Sequence, residues 1–263
     1  MIITIMKKTL LIILTLILGQ LIYAQEESAF DTGEWFEFKM SYSGWMKAGE
    51  ATLEIKEAVL NKKPVFHVVG KGKTTGAIKW FFKVKDRYES YFDKATILPQ
   101  KFIRDIDEGG HTKNIEIDFD HNKKKAYVNN IKHKEKSVID IKPNVQDMVS
   151  AFYYLRNNYD TDSIKIGDEV TLNMFFDSEN FDFKLKYLGK ETIRTKFGKV
   201  KCLMFRPYVM AGRVFKEQES LTLWISADKN KIPLRIKADL VVGSIRVDLD
   251  AFSGLKHPFE INF

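Results

Sequence analysis

Residues 181–187 read FDFKLKY, so apolar and charged side chains alternate at every position. Successive side chains of a β-strand point to opposite faces, and this alternation therefore predicts a strand with one face in the core and one in water. The same period recurs in residues 36–42 (FEFKMSY), 115–119 (IEIDF) and 245–250 (IRVDLD). We therefore expect an all-β fold in which a curved antiparallel sheet forms an open barrel or a sandwich.

One segment has a different period. Residues 143–156 read PNVQDMVSAFYYLR, in which apolar residues recur every three to four positions. Asn144 is a suitable N-cap, and Asp147 places a negative charge in the first turn, where it interacts favourably with the helix dipole. We predict one helix at about 144–157, which packs its apolar stripe on the sheet or plugs an open end of a barrel.

Sequence segments on the two sides of this helix resemble each other. Gly33 and Gly167 open similar stretches, and Pro99 and Pro233 follow similar turns, in both cases 134 residues apart. A single β domain at 25–263 could therefore contain two similar halves, 33–128 and 167–252, joined by the helix. Chance resemblance between β-hairpins is the alternative explanation.

The N-terminus has the features of a secretory leader. Lys7 and Lys8 precede an apolar run at 10–18, and Ala24 is a small residue at a suitable cleavage point. Only about 14 mostly apolar residues follow Lys8, fewer than the ~20 that a membrane span needs. We predict a cleaved signal peptide at 1–24, no transmembrane segment after cleavage, and a soluble periplasmic or secreted protein.

The charge of the chain bears on the kind of molecule that it can bind. The formal net charge is +7, and loss of Lys7 and Lys8 leaves 7 − 2 = +5. The lysines are scattered, which is typical of a solvated face but would also favour anionic envelope polymers or lipid head groups. No basic helix or RNA-binding aromatic motif points to nucleic acid.

Cys202 is the single cysteine, which excludes an internal disulfide, and we expect it to be a small core residue.

Signatures of catalysis and metal binding are missing from the sequence. No Gly-x-Ser-x-Gly elbow occurs, and no two of the five histidines stand two or four positions apart. Residues 118–121 (DFDH) are better explained by a hairpin end than by a metal site, and residues 69–76 (VGKGKTTG) lack the spacing of a phosphate-binding loop. We therefore assign no catalytic residue, no metal and no cofactor, and expect a protein that is not an enzyme.

Four segments resemble one known family. Residues 146–156 (QDMVSAFYYLR), 223–228 (LWISAD), 232–236 (IPLRI) and 243–249 (GSIRVDL) are similar to the exported bacterial proteins of domain-of-unknown-function family 3108. The resemblance covers essentially the whole chain after the leader. It implies envelope export and a single-unit β fold. Because the family has no established activity, the resemblance transfers no catalytic residue.

Aromatic residues give the remaining functional signal. Residues 80–82 (WFF) and 174–176 (MFF) would place apolar side chains on both faces of their strands. A strand buried on both sides explains this pattern, and so does a curved sheet whose concave side holds an apolar ligand. Our candidate ligand-binding residues are Trp80, Phe82, Phe152, Phe176 and Trp224.

These observations favour a binding or carrier module that takes a lipid or another apolar or amphiphilic envelope molecule. Export, the aromatic content and the missing catalytic motifs support this reading. The alternatives are a structural or protein-interaction module with an envelope protein as its partner, and an envelope hydrolase with an unrecognised site.

Overall fold

The computed structural model describes residues 28–208 and 220–261, and the predicted signal peptide at 1–24 lies outside these residues. The described residues form fourteen strands and two short helices, in keeping with the predicted all-β class. The strands are β1 (Trp35–Tyr42), β2 (Met46–Leu60), β3 (Lys63–Thr74), β4 (Val84–Asp93), β5 (Pro99–Glu108), β6 (His111–Asp120), β7 (Lys125–Asn130), β8 (Glu135–Asp140), β9 (Glu169–Phe176), β10 (Glu179–Thr195), β11 (Gly198–Pro207), β12 (Leu221–Ser226), β13 (Pro233–Asp239) and β14 (Ser244–Ser253). The helices are α1 (Ile78–Phe81) and α2 (Ser150–Asn158).

All fourteen strands belong to one sheet, in the order β8-β7-β6-β5-β4-β3-β2-β1-β14-β13-β12-β11-β10-β9. Every neighbouring pair is antiparallel. The sheet is not closed by strand pairing, which agrees with an open barrel and not with a sandwich of two sheets. The predicted halves coincide with β1–β7 for 33–128 and β9–β14 for 167–252, and the duplication itself stays a prediction.

The segment that follows β8 brings the two edges of the sheet together. The Asn180 side chain of β10 donates to the carbonyl of Asp140 at 2.7 Å. Gln146 then makes an isolated parallel bridge with β9, in which its amide donates to the carbonyl of Asn173 at 2.8 Å and its carbonyl accepts from the amide of Phe175 at 2.9 Å. These contacts therefore join the two edge regions of the sheet through the segment that follows β8.

Helix α2 covers the core-facing side of β2–β7. The paired row Ile55, Val68, Ser90, Phe102 and Ile117 lies on this side, and its apolar members share a buried cluster with Tyr153 of α2. Residues on this side of the sheet are called core-facing below. The helix packs on the sheet, as its apolar stripe predicts.

Helix α2 begins at Ser150 and not near 144 as expected. Gln146 is held in the bridge to β9, and Asn144 adopts a left-handed backbone with φ of 53°, so neither residue can belong to a helix. Asp147 caps the helix in place of Asn144. Its carboxylate accepts from the amide of Ser150 at 2.7 Å, and the Ser150 hydroxyl accepts from the amide of Asp147 at 2.9 Å, which is a reciprocal capping pair.

Residues 80–82 are not part of a strand, contrary to the expectation from their sequence. Trp80 and Phe81 belong to α1, in the connection between β3 and β4, and are strongly exposed. Gly76 enters this connection with φ of +62°, a conformation that ends the strand. Residues 174–176 do lie in a strand, and there Met174 and Phe175 are both buried.

Candidate functional site

A row of apolar side chains crosses the core-facing side of the sheet without being fully covered. Met40, Val247, Ile236 and Leu223 are paired directly, each with the next, across β1, β14, β13 and β12. Directly paired residues point to the same face of an antiparallel sheet. All four are only partly buried. These four residues are called the apolar row below.

The apolar row lies on the same side of the sheet as α2. Met40 pairs with Gly49 of β2, and Gly49 alternates with Leu53 and Ile55, which belong to or pack against the cluster that contains α2. In the other direction the row continues into the buried Phe205 and Tyr187. One part of the core-facing side is therefore filled by the helix, while the part around β1, β14 and β13 keeps accessible apolar surface.

Small residues lie on the two strands next to the row. Gly49, Ala51, Gly70 and Gly72 lie on the core-facing side of β2 and β3. A Cβ atom added at Gly72 would meet no heavy atom within 4 Å. The surface at Gly72, two strands away from Met40, is therefore open to an apolar ligand.

A polar cluster lies on the core-facing side of β4–β6. The side chain of Arg104 pairs with Asp177 from the β9–β10 turn, and Lys113 donates to the same carboxylate at 2.7 Å. Burial and the nearby Glu108 raise the pKa of Asp86 to about 6. Asp86 pairs with Gly72, so this cluster is separated from the small residues by a single strand spacing, about 5 Å.

Two groups of this cluster have unused hydrogen-bonding capacity. Within the described residues, neither the Nε of Arg104 nor Oδ1 of Asp86 has a hydrogen-bond partner, and both atoms are buried. The guanidinium of Arg104 also lies 4.7 Å from the ring centre of Phe176. Apolar surface beside a few convergent polar groups is the composition typical of small-molecule sites, and it suits an amphiphile.

The candidate residues from the sequence do not form one site. Phe152 packs against the cluster under α2, edge-on to Tyr153. Phe176 lies under Arg104, beside the polar cluster. Trp224 lies on the face opposite to Leu223, packs against a second cluster and donates its indole N–H to Glu191 at 2.7 Å.

Trp80 and Phe82 lie away from the apolar row, at the β3–β4 connection. The ring of Phe82 contacts Gly109 of the β5–β6 turn closely enough that a Cβ at Gly109 would be 2.5 Å from it. The assignment of these two residues and of the other three to a ligand site stays a prediction.

The apolar row was not predicted, although the sequence contains its signal. The alternation in residues 36–42 and 245–250 places Met40 and Val247 on an apolar face. This local pattern cannot show whether another element covers that face, because coverage depends on residues that are distant in sequence.

An open groove of about 710 Å³ crosses β2–β6, and its lining includes Gly72, Asp86 and Lys113 of the core-facing side. Its lining is mostly charged and of both signs, with Lys71, Lys73 and Arg87 beside Glu50 and Asp105. Lys73 pairs with Glu50 at 2.8 Å. The whole lining has six basic and four acidic residues, so the groove is of mixed charge and does not by itself indicate a ligand of one sign.

His67 and Glu89 form a close acid–base pair on the face of β3 and β4 opposite to the core-facing side, with 2.6 Å between Nε2 and Oε2. Burial alone would raise the pKa of Glu89, but hydrogen bonds from Arg87 and His67 hold it below its usual value. His67 also stacks on Tyr91, with ring centres 4.0 Å apart. Both carboxylate oxygens are engaged, which is typical of a structural ion-pair network.

In the described ranges, no group of three or more His, Cys, Asp or Glu side chains could hold a metal ion. No helix in this part of the chain is long and apolar enough to cross a bilayer.

Comparisons with known proteins address the family and the fold. A family model described as "Protein of unknown function (DUF3108)" matches residues 37–250, and a comparison with curated proteins gives no match. A crystal structure of a β-barrel-like protein of domain of unknown function DUF1849 from Brucella abortus is similar, with a TM-score of 0.53 and 9% identity over 85% of this chain and 98% of that chain. A DUF1089 family protein from Pseudomonas aeruginosa has a TM-score of 0.36 and 6% identity over 69% of this chain and 87% of that chain.

Proposed function

The chain belongs to the DUF3108 family, whose description assigns no function, and we propose from its structure that it is an exported, soluble envelope protein that binds or carries an apolar or amphiphilic molecule and catalyses no reaction. Export rests on the signal peptide predicted at 1–24. The β-barrel-like architecture of the DUF1849 structure supports a fold with an interior side that can be lined for binding.

The observation that carries the proposal is the partly accessible apolar row on the core-facing side. Folding normally buries such surface, since each Å² of apolar area in water costs about 25 cal/mol. Met40, Val247, Ile236 and Leu223 together keep a partly accessible apolar surface. An acyl chain or another apolar body would cover this surface, and the polar cluster around Arg104 and Asp86 would receive a polar head.

Native mass spectrometry of protein purified from its own cell envelope tests the proposal. We expect a bound small molecule on the wild type, and its loss from Ile236→Asp, which puts a charge into the apolar row. Lys237→Asp is the matched control, because Lys237 is the next residue of β13, is exposed and points to the other face. Gly72→Leu fills the open space at Gly72 with apolar atoms and should also displace the molecule.

A wild type that carries no small molecule from the envelope contradicts the proposal. So does a molecule that both Ile236→Asp and Gly72→Leu retain while they keep the wild-type circular dichroism spectrum. Crosslinking of the wild type in intact cells to a single protein, without any small molecule, would favour a structural or interaction module.

A further inference from the structure

Large apolar side chains are exposed at one end of the sheet. Trp80 and Phe81 of α1 are each 89% exposed, Trp45 of the β1–β2 turn is 78% exposed, and Val241 and Val242 of the β13–β14 turn are exposed as well. These five residues are called the aromatic rim below. An exposed tryptophan is uncommon on a protein surface, and a group of them is typical of an interaction site.

The topology places the members of the rim side by side. Because all neighbouring strands are antiparallel, the turns β1–β2, β3–β4, β5–β6, β7–β8 and β13–β14 lie at the same end of the sheet. The three turns that carry the rim are consecutive along this end. Adjacent strands are about 4.8 Å apart, so adjacent hairpin turns are about 10 Å apart.

Hydrogen bonds hold these turns against one another. The hydroxyl of Tyr42 donates to the carbonyl of Val242 at 3.0 Å, and the amide of Ser43 donates to the carbonyl of Ser244 at 2.8 Å. Toward α1, the amide of Thr75 donates to the carbonyl of Ala48 at 3.0 Å. The rim is therefore an extension of the sheet and not a set of independent loops.

Basic residues accompany the rim. Lys47, Lys79 and Lys83 are exposed and flank Trp45, Trp80 and Phe81 in sequence. The next two turns along the same end line a cavity of about 470 Å³ with His111, Lys113, Lys132 and His133, and Asp177 is its one acidic residue. This end thus combines an aromatic stretch with a predominantly basic one.

We propose that this end of the sheet docks on a lipid bilayer that contains anionic head groups. Tryptophan is enriched at the level of the head groups in membrane proteins, and lysines beside it are attracted to anionic lipids. Partial insertion of the rim removes its apolar surface from water, and the basic residues contact the head groups around it. A protein partner would cover the same apolar surface, but the lysines favour an anionic surface.

Docking on the bilayer does not require a bound small molecule. A role of docking in loading or unloading such a molecule rests on the proposed function. The core-facing side of β1, β14 and β13, which carries the apolar row, ends at the turns that carry Trp45 and Val242. Docking at this end would place that side of the sheet next to the bilayer.

Vesicle flotation tests the inference. The protein is used as it is purified from the cells that produce it. We compare vesicles of phosphatidylcholine alone with vesicles that also contain phosphatidylglycerol, and expect stronger binding to the second. The triple variant Trp45→Ser/Trp80→Ser/Phe81→Ser should bind these vesicles at least about tenfold more weakly, because it removes most of the insertable apolar area.

The control variant is Val59→Ser/Ile166→Ser. Both residues are strongly exposed and apolar, but they lie near the β2–β3 turn and before β9, at the other end of the sheet, and we expect binding within about twofold of the wild type. The single variant Trp80→Ser should weaken binding in the same direction as the triple variant. Brominated lipids should quench the tryptophan fluorescence of the wild type more than that of the triple variant.

Two results would overturn the inference: a wild type that floats with neither kind of vesicle, and a folded triple variant that binds as the wild type does. Capture of one protein partner without vesicle binding would reassign the rim to that partner. Native mass spectrometry of the triple variant separates this question from the proposed function, because a variant that loses the vesicles and retains the small molecule still acts as a binding module.

Discussion

Arg156 of α2 and Glu34 at the start of β1 form an ion pair in the interior, with 2.6 Å from Nη1 to Oε1 and 2.7 Å from Nη2 to Oε2. Both side chains are buried. The same guanidinium donates to the carbonyls of Asn230, at 3.0 and 2.8 Å, and of Ala29, at 3.2 Å. One side chain therefore joins the helix, the segment before β1 and the turn before β13.

Loss of Arg156 should strongly destabilise the fold. Arg156→Met leaves the Glu34 carboxylate buried without its partner, and breaking a buried pair in this way costs about 3–5 kcal/mol. Urea unfolding measures the loss. Glu34→Gln combined with Arg156→Met should recover part of it, because no unpaired charge then remains.

Lys142→Met serves as the control for that variant. Lys142 pairs with Asp182 at 2.6 Å, but both side chains are about half exposed, and exposed pairs contribute little. Equal unfolding midpoints for Arg156→Met and Lys142→Met would contradict the role given to Arg156.

Stability should depend on pH through Asp147. Burial raises the pKa of this carboxyl to about 6 from its ordinary 3.8, although the side chain accepts hydrogen bonds from Ser90 and Ser150. At a pH between these two pKa values the native state binds more protons than the unfolded state, so the free energy of unfolding falls as the pH rises. A difference of about two pKa units corresponds to at most about 3 kcal/mol.

Unfolding of Asp147→Asn at about pH 4 and pH 7 measures this contribution. The variant cannot titrate at this position, and its stability should fall by less than that of the wild type over the same range. Asp86 titrates in the same window and is present in both proteins, so the difference between them isolates Asp147. Identical pH profiles would show that Asp147 is ionised in the native state throughout the range.

The thiol of Cys202 should be inert in the native protein. It is fully buried, and burial raises its pKa to about 12, which removes the reactive thiolate at neutral pH. Labelling with Ellman's reagent should require unfolding. Val59→Cys supplies an exposed thiol as a positive control. If Cys202 reacts in this variant as fast as the thiol at position 59, Cys202 lies at the surface.

Gly254 should not tolerate a side chain. Its φ is +68°, and a Cβ there would lie 2.1 Å from the carbonyl oxygen of Gly33. Gly254→Ala should destabilise the fold by at least about 2 kcal/mol, because the energetic costs of the left-handed backbone and of the clash add up. Gly72→Ala is the matched control, because its Cβ meets open space, and alanine in a strand is, if anything, slightly more favourable than glycine. Similar melting temperatures for the two variants would refute the contact with Gly33.

The sequence predicts the strands well because their signal is local. The alternation in residues 36–42 corresponds to β1 at Trp35–Tyr42, and that in 245–250 lies within β14. The predicted start of α2 was wrong because the bridge between Gln146 and β9 is a long-range contact, and helical periodicity carries no information about such contacts. Residues 80–82 were misplaced for a related reason, since an aromatic run is equally compatible with a buried strand and with an exposed turn.

The candidate site was harder to predict than the fold. Periodicity identifies the apolar side of β1 and β14, but α2 covers one part of that side and leaves the apolar row accessible. Which part is covered depends on the position of Tyr153 and its neighbours, more than a hundred residues away from Met40 in sequence. The polar cluster likewise joins Arg104 to Asp177 across 73 residues.

A crystal structure of the protein purified from its own envelope without delipidation would show whether the apolar row holds a ligand. We expect elongated non-protein density along Met40, Val247 and Ile236, with its polar end toward Arg104. An interior in which the protein's own side chains cover this row, with no additional density, would contradict this expectation.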